Sequence, residues 1–134
     1  MNKFRLWDNR LKELYKSDEV TIQIKGQEIL ACHSNSLHQF TDYELMQSTG
    51  LKDKNGVEIY EGDIVEVLVQ DIEPKIMKDK MYVGVVVYKQ GTFDIKISKD
   101  TYLGIIPQMY MTDVNCMFEI LGNAYENPEL LEDN

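Results

Sequence analysis

The sequence predicts an all-β protein with minimal helix, folded as a small barrel-type structure. About nine short segments alternate apolar with polar residues, or are rich in β-branched and aromatic residues, as strands are. Turn residues separate these segments at intervals of about 8 to 12 residues, a spacing typical of sandwiches and barrels. Residues 36–46 carry apolar residues at poor helical spacing, and we expect a loop or a single turn there.

The N-terminal half contains five candidate strands, at residues 3–7, 11–15, 20–24, 28–33 and 44–47. The third shows the pattern most clearly, because Val20, Ile22 and Ile24 alternate with polar residues as in a half-buried strand. A turn at Gly26 leads into the fourth strand. At 134 residues the chain fits a single domain, or an N-terminal β subdomain of residues 1–56 followed by a second one.

A hairpin is predicted near the middle of the chain. Asn55 and Gly56 are the preferred central pair of a type I′ turn, in which both central residues need positive φ. Residues 51–54 and 57–60 are short enough to be its two arms. A second turn follows at residues 61–63, where a glycine allows a sharp reversal.

The C-terminal half, residues 57–134, is predicted to be SH3-like. A strand, a long polar loop, a strand, a turn and a strand follow one another between Gly62 and Ser98, and this order resembles that of an SH3-like barrel. Asn127 and Pro128 have the character of an N-cap and a first helical residue, so a helical turn is expected at the end. The predicted elements are a strand at 64–69, the loop at 71–80, strands at 81–88, 93–98, 102–106 and 117–121, and the turn at 127–131.

The strand at residues 81–88, MYVGVVVY, is apolar on both faces. An antiparallel strand with one face in water should carry polar residues at alternate positions, so its outer face is expected to be covered by the other subdomain or by another copy of the chain. Tyrosine and methionine are typical of interface cores. The candidate interface residues are Tyr82, Val86, Tyr88, Met109, Tyr110 and Met111.

The central twenty residues, MQSTGLKDKNGVEIYEGDIV, resemble the signature of the YopX family of phage and prophage proteins. The opening KFRLWD at 3–8 and the closing EILGN and YENPELL at 119–131 resemble the ends of that family, so the resemblance covers essentially the whole chain. It implies a small β-rich phage-encoded protein of unassigned biochemical function, with no catalytic residues to carry over. The signature residues are Thr49, Gly50, Leu51, Asp53, Asn55, Gly56, Tyr60, Glu61, Gly62 and Asp63.

The net charge of −9 is distributed unevenly. Residues 1–50 hold six basic and seven acidic side chains, whereas residues 51–134 hold eight and sixteen, with no basic residue after Lys99. A protein that binds nucleic acid must neutralise phosphates with Lys and Arg, so nucleic-acid binding is not expected. The same charge suggests one alternative function, an acidic decoy that occupies the basic site of a host nucleic-acid-binding enzyme.

The sequence offers little for catalysis or for a metal, and we expect no cofactor. Cys32, His33 and His38 carry metal-type ligands but lack the three or four ligands at defined spacing that a zinc site needs. Both cysteines are expected to be reduced and buried. Glu61 and Asp63 suggest a small hydrolase as a further alternative, although Asp63 is better explained as an acceptor of backbone N–H groups beside Gly62.

Neither a membrane span nor a secretory signal is expected, because no apolar run approaches the ~20 residues of a span and charges interrupt the N-terminus. The sequence therefore favours a non-enzymatic accessory protein in the cytoplasm of an infected or lysogenic bacterium. We expect it to form homo-oligomers and to bind a host or phage protein.

Overall fold

The computed structural model describes residues 3–36, 38–70, 80–105 and 115–131, and nearly all of its regular structure is β-strand. The predicted all-β class is confirmed. Among the described residues, no helix is long and apolar enough to cross a membrane. The elements are β1 (Phe4–Asp8), β2 (Glu13–Tyr15), a 3₁₀ turn (Ser17–Glu19), β3 (Val20–Lys25), β4 (Glu28–His33), β5 (Gln39–Phe40), β6 (Tyr43–Lys52), β7 (Glu58–Tyr60), β8 (Asp63–Gln70), β9 (Lys80–Lys89), β10 (Thr92–Ser98), β11 (Thr101–Ile105), β12 (Asn115–Asn123) and a 3₁₀ turn (Pro128–Leu131).

Contacts between residues group the chain into two units, Met1–Ser48 and Thr49–Asn134. The boundary lies within β6, whereas the sequence suggested a division after Gly56. The central hairpin, with both of its arms, therefore belongs to the second unit.

Unit 1 contains two antiparallel arrangements of strands. β1 pairs with β2 on one side and with the first half of β6 on the other. β3, β4 and β5 form a three-stranded sheet in chain order. Leu6, Ala31 and Phe40 form the buried core of this unit, and partly buried aromatic and aliphatic side chains pack around it.

Unit 2 is built on a five-stranded antiparallel sheet in the order β11-β10-β9-β8-β12, which curls into a half-barrel. Its strands lie where the sequence predicted them, and residues 71–79 of the predicted polar loop lie outside the described part of the chain. The alternation in β8 places Val65 and Val67 in the core. The core residues are Ile59, Val65, Val67, Val86, Ile95 and Phe118.

Gly84 explains how β9 and β10 approach each other in the middle of this sheet. A Cβ atom on Gly84 would lie 2.6 Å from the backbone oxygen of Lys96 and 2.7 Å from Cγ2 of Ile95, closer than real contacts allow. A glycine inside a strand often marks such a close approach. The glycine that interrupts the valine run of β9 is therefore required by packing.

Candidate functional site

The signature hairpin, residues 49–60, ends in a turn that differs from the predicted one. The amide of Gly56 donates to the carbonyl oxygen of Asp53 over 3.0 Å, and Gly56 has φ of 81°. Among the described residues, only Lys12 and Gln90 have positive φ without being glycine, so Asn55 does not. The prediction of a type I′ turn centred on Asn55 and Gly56 was wrong. The turn spans residues 53–56 and places only its last residue in the left-handed region, as three-residue hairpin loops do.

The Asp53 carboxylate stabilises this turn, in which only Gly56 has positive φ. Its Oδ1 accepts hydrogen bonds from the amides of Asn55 and Val57, each at 2.9 Å. Its Oδ2 accepts a third from the amide of Ile120 on β12 at 3.1 Å. One buried carboxylate thus satisfies three backbone donors and joins the hairpin to a strand more than sixty residues later in the chain.

Two contacts of Lys54 complete this junction. Its amide donates to the carbonyl oxygen of Phe118 over 2.8 Å, and its Nζ lies 3.3 Å from Oε1 of Glu119. Burial raises the pKa of the Asp53 carboxyl, but the three backbone donors and the charge of Lys54 lower it more, so this pKa lies below its usual value. Asp53 is therefore an ionised structural group and not a proton donor at neutral pH.

The second turn of the signature, at residues 61–63, also contains residues with structural roles. Gly62 has φ of 89°, donates to the carbonyl oxygen of Val86 and accepts from the amide of Ala124, each over 2.8 Å. Asp63 is 2% exposed, and its Oδ2 accepts from the amide of Tyr60 at 2.8 Å. This is the backbone role expected for Asp63, and a carboxylate so enclosed does not reach a substrate.

In the C-terminal segment, the side chain of Asn123 is a third group that accepts hydrogen bonds from backbone amides. Oδ1 of Asn123 accepts from the amides of Tyr125 and Glu126 at 3.0 and 2.8 Å, and its Nδ2 donates to Oε1 of Glu126 over 2.7 Å. Asn127 precedes the predicted helical turn, which is present as a 3₁₀ turn at Pro128–Leu131. Oδ1 of Asn127 accepts a hydrogen bond from the amide of Asn123, earlier in the chain, at 3.2 Å.

The metal-type ligands of unit 1 do not converge. Nδ1 of His33 accepts from the amide of Asn35 at 3.2 Å, and the His38 ring lies edge-on to Phe40 with centroids 5.2 Å apart. Within the described residues, no three His, Cys, Asp or Glu side chains are placed to hold a metal ion. Cys32 is a free, partly buried thiol, and the side chain of Cys116 lies outside the described part of the structure.

A cleft of about 210 Å³ in unit 1 is lined by Asp8, Arg10, Leu11, His38, Gln39 and Thr41. Its buried carboxylate is again used by the backbone, because Oδ1 of Asp8 accepts from the amides of Arg10 and Leu11 at 2.8 and 3.3 Å. Asp8 therefore fixes the turn after β1.

The candidate interface residues on β9 lie on its inner face. Val86 is 1% exposed and belongs to the core of unit 2, so it offers no surface to a partner. Tyr82 is half-buried on the same face, and Tyr88 at its end is exposed and lies edge-on to Phe93 with centroids 5.0 Å apart. The remaining candidates, Met109, Tyr110 and Met111, lie outside the described residues.

The opposite face of β9 is the one that remains partly in contact with water. We call Met81, Val83, Val85 and Val87 the β9 outer face; Met81 is 55% exposed and the three valines are half-buried. The strand is thus apolar on both sides, as its sequence indicated, and the face opposite Val86 is the one that contains no fully buried residue.

A second exposed apolar group lies in unit 1 at the end of the β3–β4 hairpin. Ile24 and Ile29 are direct cross-strand partners and are 74% and 49% exposed. They continue the face that is buried farther along the hairpin at Ala31 and partly buried at Val20. We call this pair the isoleucine tip. This pair was not among the predicted interface residues, although two isoleucines at similar distances on either side of the Gly26 turn were the available signal.

Comparison with known proteins bears on this arrangement. Residues 3–132 match the family described as YopX protein. The chain belongs to the YopX family. No curated protein matches it. It is similar to the crystal structure of protein EF1440 from Enterococcus faecalis, with 33% identity and a TM-score of 0.57, covering 98% of this chain and 99% of that one.

Several residues of the YopX signature therefore have structural roles. Thr49, the first of them, supports this reading, because its Oγ1 donates to the carbonyl oxygen of Ile59 over 2.7 Å and accepts from the amide of Leu51 at 3.1 Å. Asp53 and Asp63, the buried acids of the signature, each accept backbone amides. The exposed apolar side chains of the isoleucine tip and the β9 outer face lie outside the signature.

Proposed function

We propose that this chain is a non-enzymatic phage or prophage accessory protein of the bacterial cytoplasm. It self-associates and binds another protein through apolar strand surfaces. One observation carries the proposal: regular strands in both units leave large apolar side chains in water, with Ile24 and Met81 the most exposed of them. Contiguous exposed apolar patches are typical of interaction sites, whereas isolated apolar side chains on a surface are ordinary.

The chemistry of the acidic residues supports a non-enzymatic role. Asp63 is one of the two acids, with Glu61, that the sequence suggested for a hydrolase, and it accepts a backbone hydrogen bond as a buried acceptor. Asp53, the other buried acid of the signature, does the same. General acid–base catalysis needs a carboxyl group within reach of the proton that it transfers. Neither carboxylate meets that requirement.

Sedimentation velocity tests self-association. We expect the purified chain to sediment as more than a monomer, with the larger species growing over about two decades of protein concentration. Met81→Lys on the β9 outer face and Ile24→Lys on the isoleucine tip should each shift this distribution towards monomer. Leu11→Lys is the matched control, because Leu11 is equally exposed but lies in a turn. A monomer at every concentration would overturn the proposal.

Binding to another protein requires a separate comparison of two baits. The wild-type chain and Met81→Lys are used in parallel to capture proteins from a nuclease-treated host lysate. A protein held by the wild type and lost with Met81→Lys supports the β9 outer face as the binding surface. A protein that both baits capture equally contradicts that assignment.

A further inference from the structure

The isoleucine tip stands beside an open strand edge. β3 is the terminal strand in the order β3-β4-β5, so among the described residues its second edge pairs with no strand. Natural sheets protect such edges with proline, bulges or charged side chains. β3 contains no proline, its pairing with β4 shows no register shift over six residue pairs, and its only charged residue is Lys25 at the end.

We propose that a second copy of this chain adds to that edge, with the two β3 strands antiparallel and residue 22 opposite residue 22. This inference rests on the self-association proposed above and specifies where it occurs. In antiparallel pairing, residues that lie opposite each other share a face, so this register joins the apolar faces of the two hairpins. Ile24 then lies opposite Val20 of the second copy and is removed from water.

Charge complementarity selects the second copy as the occupant and fixes the register. With residue 22 opposite itself, Lys25 lies opposite Glu19 of the second copy, and the two-fold relation forms this pair twice. Within the chain, Lys25 already lies opposite Glu28 on β4, so the proposed contact places an acid on each side of it. Glu19 ends the 3₁₀ turn just before β3, and the backbone of Val20 is already extended, with φ of −126° and ψ of 134°.

The test is a charge exchange between positions 25 and 19. Lys25→Glu alone places two acids opposite each other, and Glu19→Lys alone places two lysines opposite each other. Each variant should therefore weaken self-association by at least about tenfold in the dissociation constant. An equimolar mixture of the two variants should associate as the wild type does, because every pair between unlike copies is then of opposite charge.

Two controls separate the edge contact from other effects. Lys99→Glu makes the same charge change in an exposed turn of unit 2 and should leave association unchanged. Thermal unfolding of Glu19→Lys checks the fold, because Oε1 of Glu19 accepts from the amide of Lys16 at 2.9 Å and this bond is lost. Ile24→Lys should weaken association at least as strongly as either charge variant.

The outcomes distinguish this inference from the function on which it rests. Restored association in the mixture, with each variant weakened alone, supports the β3 edge and its register. Self-association of the wild type that none of these variants changes overturns the inference and leaves the proposed function standing. A wild type that is monomeric at all concentrations overturns both.

Discussion

Two hairpins of this molecule each turn on a glycine with positive φ, but among the described residues a buried carboxylate connects only one of these turns to a distant strand. The signature hairpin turns at Gly56, and the buried carboxylate of Asp53 connects it to β12. The β3–β4 hairpin turns at Gly26 and ends in Ile24 and Ile29, which remain in water. The strongest sequence pattern thus marks residues that the fold requires, whereas the exposed isoleucines, which we propose as a contact surface, carry no such pattern.

The largest expected effect comes from removing the carboxylate that distinguishes the two hairpins. Asp53→Ala leaves the amides of Asn55, Val57 and Ile120 without their acceptor, and we expect a loss of about 3 kcal/mol in the free energy of unfolding. Urea denaturation followed by circular dichroism measures this loss. Hydrogen exchange should accelerate at Val57 and Ile120 in particular.

Asp100→Ala is the control for that substitution, because Asp100 is an exposed acid in a turn of the same unit. It should change the free energy of unfolding by less than about 0.5 kcal/mol. An Asp53→Ala protein as stable as this control would show that the junction with β12 does not depend on the carboxylate.

Acid should weaken the same junction. The pKa of Asp53 is lowered in the folded state, so its contribution to stability is complete above the unfolded pKa of about 3.9 and is lost as the pH falls through the folded value. Unfolding measured from pH 6 downwards should show this loss below about pH 4. Asp53→Asn should flatten that part of the profile, and an unchanged profile would assign the acid sensitivity to other carboxylates.

Replacing the turn glycine with alanine should lower the free energy of unfolding by the same amount in the two hairpins. Gly26 and Gly56 have φ of 63° and 81°, and a Cβ atom at either position meets no other atom within 4 Å. Alanine in the left-handed region is disfavoured by about 1 kcal/mol wherever it occurs, so Gly26→Ala and Gly56→Ala should each lose about that much. A much larger loss at Gly56 would show that its turn, and not Asp53, accounts for the difference between the hairpins.

The fold was predictable where local pattern and tertiary environment agree. The alternation in β3, β8 and β10 predicted those strands, and the Asn127 and Pro128 pair predicted the final turn. A type I′ turn was predicted at Asn55 and Gly56, but only Gly56 of that pair has positive φ. The two consecutive positive φ values expected of such a turn occur instead at Gln90 and Gly91, with φ of 52° and 82°. The preference of Asn-Gly for this turn is a local property, whereas Asp53 accepts a hydrogen bond from the amide of Ile120, which lies on a strand distant in the sequence.

The candidate surface was harder to predict for a similar reason. Period-two alternation shows that β9 has two apolar faces but does not show which one meets the core. Tyr82 and Tyr88 suggested the surface, but Gly84 lies between them on the same face and allows the close approach to β10. That face is therefore buried at Val86, and the outward positions belong to Met81 and the other valines.

The smallest expected effect on stability comes from a substitution in the β3–β4 hairpin. Ile24→Thr removes an apolar side chain that is already 74% exposed and substitutes a residue of high β propensity. The free energy of unfolding of the isolated chain should change by less than about 0.5 kcal/mol at low protein concentration, where copies are separate. At high concentration the same substitution should lower the melting temperature, because self-association stabilises only the form that buries the tip. A melting temperature that depends on concentration equally in both proteins would place the contact elsewhere, whereas one that depends on concentration in neither would contradict self-association itself.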